Sequence, residues 1–158
     1  MTRTKKDITM QRHISEQGLA LIRHFEGFQP FAYVCPGGYA TIGYGHVLAE
    51  GESFRAGITL AQAENLLRQD VAAAEQAVDR LLPVPLAPGQ FDALVSFTFN
   101  IGAGALQRST LRQCVRRGEH EAASREFLRW IYAGGKPQKG LLRRRLAEAR
   151  LYENGVWR

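Results

Sequence analysis

The sequence predicts an α+β chain that is mainly α: a small β-hairpin lobe joined by a long helix to a helical lobe, with a cleft between the lobes. Three stretches carry that expectation. Residues 31–34 (FAYV) and 39–44 (YATIGY) are rich in aromatic and β-branched side chains and flank Pro36-Gly37-Gly38, which is a hairpin signal. A capped helical pattern then runs from Thr59 to about residue 81. Beyond Pro83-Val84-Pro85 every apolar pattern repeats at helical spacing.

Taken in order, residues 1–12 read as a flexible arm. Residues 13–158 form one domain, with an N-terminal lobe at 13–58, a connecting helix at 59–82 and a helical lobe at 83–158. Ile14, Leu19, Ile22 and Phe25 recur as one helical face that ends near Glu26, and Gly27 is suited to stop it in a left-handed conformation. Gly18 within that helix weakens it, so it depends on packing. After the hairpin, residues 49–58 read as loop. Thr59 and Gln62 form a capping box, and Leu60, Ala63, Leu67, Ala74 and Val78 follow as the buried stripe of a helix over 60–81. At about 1.5 Å per residue it spans roughly 30 Å. Residues 89–101 are apolar nearly all round and predict a buried core helix. Ser109-Thr110 caps a short helix to Arg117, and 119–132 reads as an amphipathic helix carrying Phe127, Trp130 and Ile131. Gly134 to Pro137 reads as loop, and 141–153 as a last helix bearing Arg143, Arg144 and Arg145.

With 158 residues, 45% of them hydrophobic and 23% charged, the chain is an ordinary single globular domain. No run approaches the ~20 apolar residues of a membrane span, and the basic N-terminus lacks the apolar core of a secretory signal. The two cysteines, Cys35 and Cys114, lie far apart without metal-ligand spacing and read as free thiols. No pattern asks for a metal or organic cofactor, and none is expected. A formal charge of +6 favours polyanions of any kind without choosing among them.

The densest chemistry lies between Phe25 and His46. Glu26 falls among Phe25, Phe28 and Phe31, where poor solvation raises a carboxyl pKa toward that of a general acid. Cys35 precedes the hairpin turn and is placed to be accessible, as a nucleophile or as a group that orients water. Thr41 suits a strand and has a hydroxyl able to hold a water; His46 follows Tyr-Gly. Singly, each has a simpler structural explanation. Together, Glu26, eight residues, Cys35, five residues and Thr41, followed by IGYGH, resemble the active-site signature of the phage-type lysozymes, the endolysin family of muramidases. FDALVSFTFNIGAGALQRSTL (91–111) and GLLRRRLAEARLY (140–152) resemble two further motifs of that family, in the right order, so that the likeness covers roughly residues 13–153.

The resemblance implies a lysozyme-like fold with the active site in the cleft. It implies that Glu26 protonates the glycosidic oxygen between N-acetylmuramic acid and N-acetylglucosamine, and that Thr41 positions the attacking water. Cys35 takes the position where Asp is commoner. It supplies no carboxylate, and a thiol with a reference pKa of ~8.5 is only a few per cent ionised at neutral pH. Either a local positive field lowers that pKa, or Cys35 holds water while Thr41 shares the task. By the same resemblance His46, Phe99, Asn100, Gly102, Ser109 and Thr110 are candidate substrate-binding residues, and Arg143 is the candidate salt-bridge support for the lobe that carries Glu26.

The implied partner is bacterial peptidoglycan, with no nucleic acid and no membrane span, and the chain is expected to be a monomer. Accumulation in the host cytoplasm, action on the wall in the periplasm and dependence on a holin-type membrane protein follow from the family alone. Two enzyme readings compete, hydrolysis and lytic transglycosylation of the same bond; Thr41 at its matched spacing favours hydrolysis. A catalytically weakened wall-binding module is the alternative outside enzymes, and a nucleic-acid binder has only charge behind it.

Overall fold

The computed structural model describes residues 11–158. Its elements follow in the order α1 (Glu16–Glu26), β1 (Gln29–Val34), β2 (Ala40–Gly43), β3 (His46–Val47), α2 (Leu60–Leu81), α3 (Pro88–Ile101), α4 (Ala103–Gln107), α5 (Thr110–Arg116), α6 (His120–Glu126), a 3₁₀ turn (Phe127–Arg129), β4 (Tyr132–Ala133), β5 (Lys136–Pro137) and α7 (Lys139–Asn154). The chain is mainly helical with small antiparallel sheets, as its sequence predicts. Among the described residues, no helix is long and apolar enough to cross a membrane.

Two compact units divide the chain, Ile22–Ala73 on one hand and the residues up to Leu21 with Ala74–Arg158 on the other. The boundaries fall inside α1 and α2, whereas the sequence reading drew them at 58/59 and 82/83.

In the unit Ile22–Ala73 the sheet has the order β1-β2-β3, with both pairs antiparallel. The hairpin tip follows from its residues. The Cys35 carbonyl accepts from the Gly38 N–H at 2.8 Å, with Pro36 and Gly37 as the central pair, and the Cys35 N–H donates to the Tyr39 carbonyl at 2.9 Å. Proline presets the first central φ, and Gly38, at φ 87°, takes the left-handed position that lets the strands close. Ile42, Ile58 and Ala63 form the core of this unit, with Phe28, Tyr44 and Leu66 packed around them. The capping box is present in both directions: the Thr59 N–H donates to Gln62 Oε1 at 2.8 Å, and the Gln62 N–H to Thr59 Oγ1 at 3.1 Å. Of the predicted stripe, Ala63, Leu67, Ala74 and Val78 are buried, but Leu60 is exposed. As the first residue of α2 it lies where the helix has only just begun to cover anything.

The helical unit is built on α3. Residues Phe91 to Thr98 are all buried, which is what an apolar circumference predicts. Its polar members are each satisfied. Asp92 accepts from the Ser15 N–H at 2.9 Å and from the Ser15 hydroxyl, so the start of α1 is tied to α3. Ser96 Oγ donates to Glu148 Oε2 at 2.6 Å, and Thr98 Oγ1 to the Leu94 carbonyl at 2.7 Å. Gly18 fits between these helices because a Cβ there would lie 2.8 Å from that of Asp92. Its packing role thus outweighs the helix propensity it forfeits. Phe97 stands edge-on to Phe127 and Trp130 and completes an aromatic centre with Tyr152.

Two expectations are corrected here. The predicted arm at 1–12 lies mostly outside the described residues, yet its last member is anchored. Arg12 donates to Asp79 Oδ1 at 2.7 Å and to the Leu82 and Val84 carbonyls at 2.7 and 2.8 Å, and its guanidinium covers the Phe91 ring. It satisfies carbonyls that the end of α2 leaves open. The predicted helix over 119–132 stops at Glu126 and the 3₁₀ turn, and Tyr132–Ala133 pairs with Lys136–Pro137 across Gly134-Gly135. Both glycines have positive φ, 59° and 75°, the arrangement of a two-residue hairpin turn.

Candidate active site

Glu26 is the last residue of α1, and Gly27, at φ 71°, ends the helix by donating its N–H to the Arg23 carbonyl at 3.0 Å. The carboxyl group is half-buried and leans over the turn between β2 and β3. A Cβ built on Gly45 would stand 2.9 Å from Glu26 Oε2. Gly45 also has φ 80°, a conformation that side chains disfavour, so both backbone geometry and space at that position call for glycine. Gly45→Ala is therefore expected to displace the carboxyl and lower activity by about 10–100-fold, given what small misplacements of reacting groups cost. Lysis assays beside a melting curve check this.

The three phenylalanines that flank Glu26 in the sequence each have further neighbours in the fold. Phe25 stands edge-on to His24, Phe28 packs against Tyr44, and Phe31 is exposed with its ring against Gly57. Phe25 lies in the last turn of α1, Phe28 in the link that follows and Phe31 on β1, so the three rings have different neighbours.

Cys35 and Thr41 do come together. Thr41 sits at the centre of the middle strand, paired with Tyr33 on one side and Val47 on the other, and is 3% exposed. Its hydroxyl reaches the Tyr39 carbonyl at 3.0 Å and also hydrogen-bonds the Cys35 sulfur. The Cys35 thiol is held below its ordinary value, first by the Thr41 hydroxyl and then by backbone of Tyr39 and Gly37. Hydrogen bonds lower this pKa, where the sequence reading offered a local positive field as one of two possibilities. A hydroxyl has a single proton. Directed at Tyr39 it leaves the Thr41 oxygen to accept from a thiol, and directed at sulfur it stabilises a thiolate. The pair can thus change protonation state without losing its contact.

His46 has a structural setting. Nδ1 lies 2.8 Å from Asp70 Oδ2 on α2, and Nε2 lies 2.8 Å from Glu52 Oε1 in the following loop. Both ring nitrogens are occupied, so the expected substrate-binding role is corrected to that of a clasp between β3, the loop and α2. Burial lowers the His46 pKa, but Glu52 and Asp70 outweigh it and the net shift is upward. A raised folded-state value means that the contribution is fully present below the unfolded pKa of ~6.5 and is lost as pH rises through the folded value. Accordingly, His46→Asn is expected to lower the melting temperature more at pH 5.5 than at pH 8.5, as calorimetry across that range would register.

The helical unit carries the other candidates. Phe99 and Asn100 are half-buried in the last turn of α3, and Gly102, at φ 93°, is exposed just beyond it. Asn100 Oδ1 accepts from Arg145 Nη2. Ser109 caps α5: its hydroxyl accepts from the Arg112 N–H at 3.0 Å and donates to the Leu106 carbonyl at 2.7 Å, and it is buried. The cap foreseen in the sequence uses up the hydroxyl that was also offered to substrate, so Ser109 is corrected to a structural residue. Thr110 is exposed at the first position of α5. Of the three consecutive arginines, Arg143 lies exposed, while Arg144 and Arg145 are 4% and 0% exposed. At 100° per residue a helix cannot turn all three inward, which leaves Arg143 as the exposed member.

A family model described as phage lysozyme matches residues 23–148. The chain belongs to the phage lysozyme family. It is 44% identical over 145 residues to an endolysin of Bacillus phage B103, covering 90% of this chain and 55% of that relative. It is 43% identical over 148 residues to an endolysin of Acyrthosiphon pisum secondary endosymbiont phage 1, covering 90% of this chain and 99% of the relative. The chain thus spans about half the length of the first relative and nearly all of the second. Among solved structures, an endolysin from Escherichia coli O157:H7 phage FAHEc1 superposes with a TM-score of 0.86 at 35% identity, covering 94% of this chain and 98% of that one.

Several residues that shape this phage lysozyme family member went unnoticed in its sequence. Asp70 and Glu52 hold His46, and nothing short of the fold brings Asp70 to it across 24 positions. Glu148 joins Arg145 through Oε1 and takes Ser96 Oγ and Arg144 Nε, at 2.6 and 3.4 Å, on Oε2, while fully buried. Its spacing of three and four residues from the two arginines was a signal available in the sequence.

Proposed function

We propose that this chain is a peptidoglycan hydrolase, cleaving the β-1,4 bond between N-acetylmuramic acid and N-acetylglucosamine. The observation that supports it best is the hydrogen bond between Cys35 at the hairpin tip and Thr41 on the central strand, at the spacing from Glu26 that the family signature prescribes. Glu26 donates the proton to the leaving glycosidic oxygen. Thr41 and Cys35 hold the water that attacks the anomeric carbon, and the thiolate, eased by its hydrogen bonds, is the base that relieves the water of its proton. With a carboxylate absent from that position, water activation falls to a softer base assisted by a hydroxyl. Lytic transglycosylation of the same bond needs no held water, so Thr41 and Cys35 together favour hydrolysis.

The physiological setting is proposed as endolysis: accumulation of the chain in the host cytoplasm, entry to the periplasm after a holin-type protein opens the membrane, and action there as a monomer. Turbidity clearing of permeabilised Gram-negative cells tests the reading. Wild type is expected to clear them, Cys35→Asp to retain clearing, and Cys35→Ala to lose most of it. Full activity of Cys35→Ala would remove Cys35 from the mechanism.

A further inference from the structure

The formal charge of +6 is not spread evenly along the chain. In Ile22–Ala73 the carboxylates outnumber the arginines and there is no lysine, so the positive excess belongs to the rest of the molecule. It is densest between Arg80 and Gly118, where five arginines accompany a single acid, Asp92. That acid is buried and already accepts from Ser15. The fold gathers four of the five arginines. Arg112 Nε donates to the Leu81 carbonyl at 3.0 Å and Nη1 to the Gln107 carbonyl at 3.2 Å, which ties α5 to the last turn of α2, beside Arg80. Arg108 comes just before the Ser109 cap, four residues ahead of Arg112, and Arg116 follows Arg112 by one turn of α5.

Arg112 thus has a structural task, closing a carbonyl that the end of α2 leaves open. Arg80, Arg108 and Arg116 have no such task. All three are exposed, and among the described residues their side chains have neither a hydrogen-bond acceptor nor a carboxylate partner. Like charges one turn apart cost stability and supply none, so the fold by itself does not account for them. The surface is also without apolar projections. The large hydrophobic side chains that stand exposed all lie outside residues 61–131, and the apolar side of α5, Leu111, Cys114 and Val115, is buried. A bilayer is gripped by apolar side chains as well as by charge, so this surface fits a hydrated polyanion.

We propose that Arg80, Arg108 and Arg116 form a docking surface for the carboxylate-bearing stem peptides of peptidoglycan. The proposal rests on the muramidase reading above and adds a second contact with the same polymer, made by residues that take no part in the cleavage. Where the lactyl group of a muramic acid is amide-linked to its peptide, the glycan itself is neutral and the free carboxylates are those of the peptide. A guanidinium presents parallel N–H donors that match a carboxylate. Stem peptides recur along every strand, so one docked peptide raises the effective concentration of neighbouring scissile bonds.

The test compares wild type with Arg80→Gln/Arg108→Gln/Arg116→Gln on two substrates: purified Gram-negative sacculi, and glycan strands from the same sacculi freed of peptide by an amidase. The exposed positions predict an unchanged melting curve. At low ionic strength the variant is expected to show a KM on sacculi raised about five- to tenfold, the size of three exposed ion pairs, with kcat unchanged. The gap should close at about 0.5 M salt, where exposed charges are screened. On peptide-free strands the two proteins should have equal KM. The triple Arg→Lys variant, which keeps the charge without the fork, is expected to recover part of the loss. Arg116→Glu, which reverses one charge, gives the same reading should the triple variant fail to fold. A KM on sacculi within twofold of wild type at low salt overturns the proposal. An equal loss on peptide-free strands overturns it too, as does a loss confined to walls bearing teichoic acid, which would assign the surface to phosphate. A wild type inactive on both substrates falls on the muramidase reading beneath it.

Discussion

Glu26→Gln is expected to lower clearing of permeabilised cells by about 10³-fold while leaving the melting curve unchanged, because an amide keeps the shape of the carboxyl and has no proton to give. The side chain leans over Gly45 at the end of α1, and its neighbours Phe25 and Phe28 are packed against His24 and Tyr44. Loss of activity with retained folding assigns Glu26 to the chemistry. Loss of both would make it a structural residue, and retention of near-normal activity would remove the proposed acid.

The second large effect is on stability. Glu148→Ala is expected to cost about 3–5 kcal/mol, since removing one member of a buried ionic cluster strands its partners. Arg145 and Arg144 are 0% and 4% exposed, and Glu148 contacts both while also accepting from Ser96. For a chain of this size that is a fall of roughly 10 °C in melting temperature. Glu148→Gln, which keeps an acceptor oxygen and removes the charge, should lose less. A change below about 1 kcal/mol for Glu148→Ala would mean that the arginines find water or other partners.

What the sequence disclosed and what it withheld divide along the range of the interactions. The hairpin tip, the Thr59–Gln62 capping box and the all-round apolar α3 were legible because each is written in neighbouring residues. The short β4–β5 hairpin was missed because the apolar run through Trp130 and Ile131 continued a helical rhythm and outweighed Gly134-Gly135, although that pair is itself a turn signal. The anchoring of Arg12 and the clasp on His46 depend on carbonyls and carboxylates tens of residues away, which no local pattern reports.

The site divides in the same manner. Glu26, Cys35 and Thr41 were singled out by spacing, and the hairpin that unites Cys35 with Thr41 is itself local. The cause of the lowered Cys35 pKa was not, because hydrogen bonds from Thr41 and the Tyr39 backbone become visible only once the strands are paired. Ser109 and His46 were offered to substrate for their chemistry, and in the fold that same chemistry is spent on a helix cap and on two carboxylates. Polar side chains near a site are thus ambiguous until their own partners are known. Arg143 was chosen from three adjacent arginines, and only the helix phase separates the exposed one from the two that are buried.

The central claim is that this chain hydrolyses the muramic acid bond with Glu26 as acid and water held by Thr41 and Cys35. Mass spectrometry of muropeptides from purified peptidoglycan, digested with wild type beside Glu26→Gln, tests it most directly. The account predicts N-acetylmuramic acid at new reducing ends, one water heavier than the cyclised form, from wild type alone. Anhydro ends from wild type, or the same products from Glu26→Gln, would contradict it.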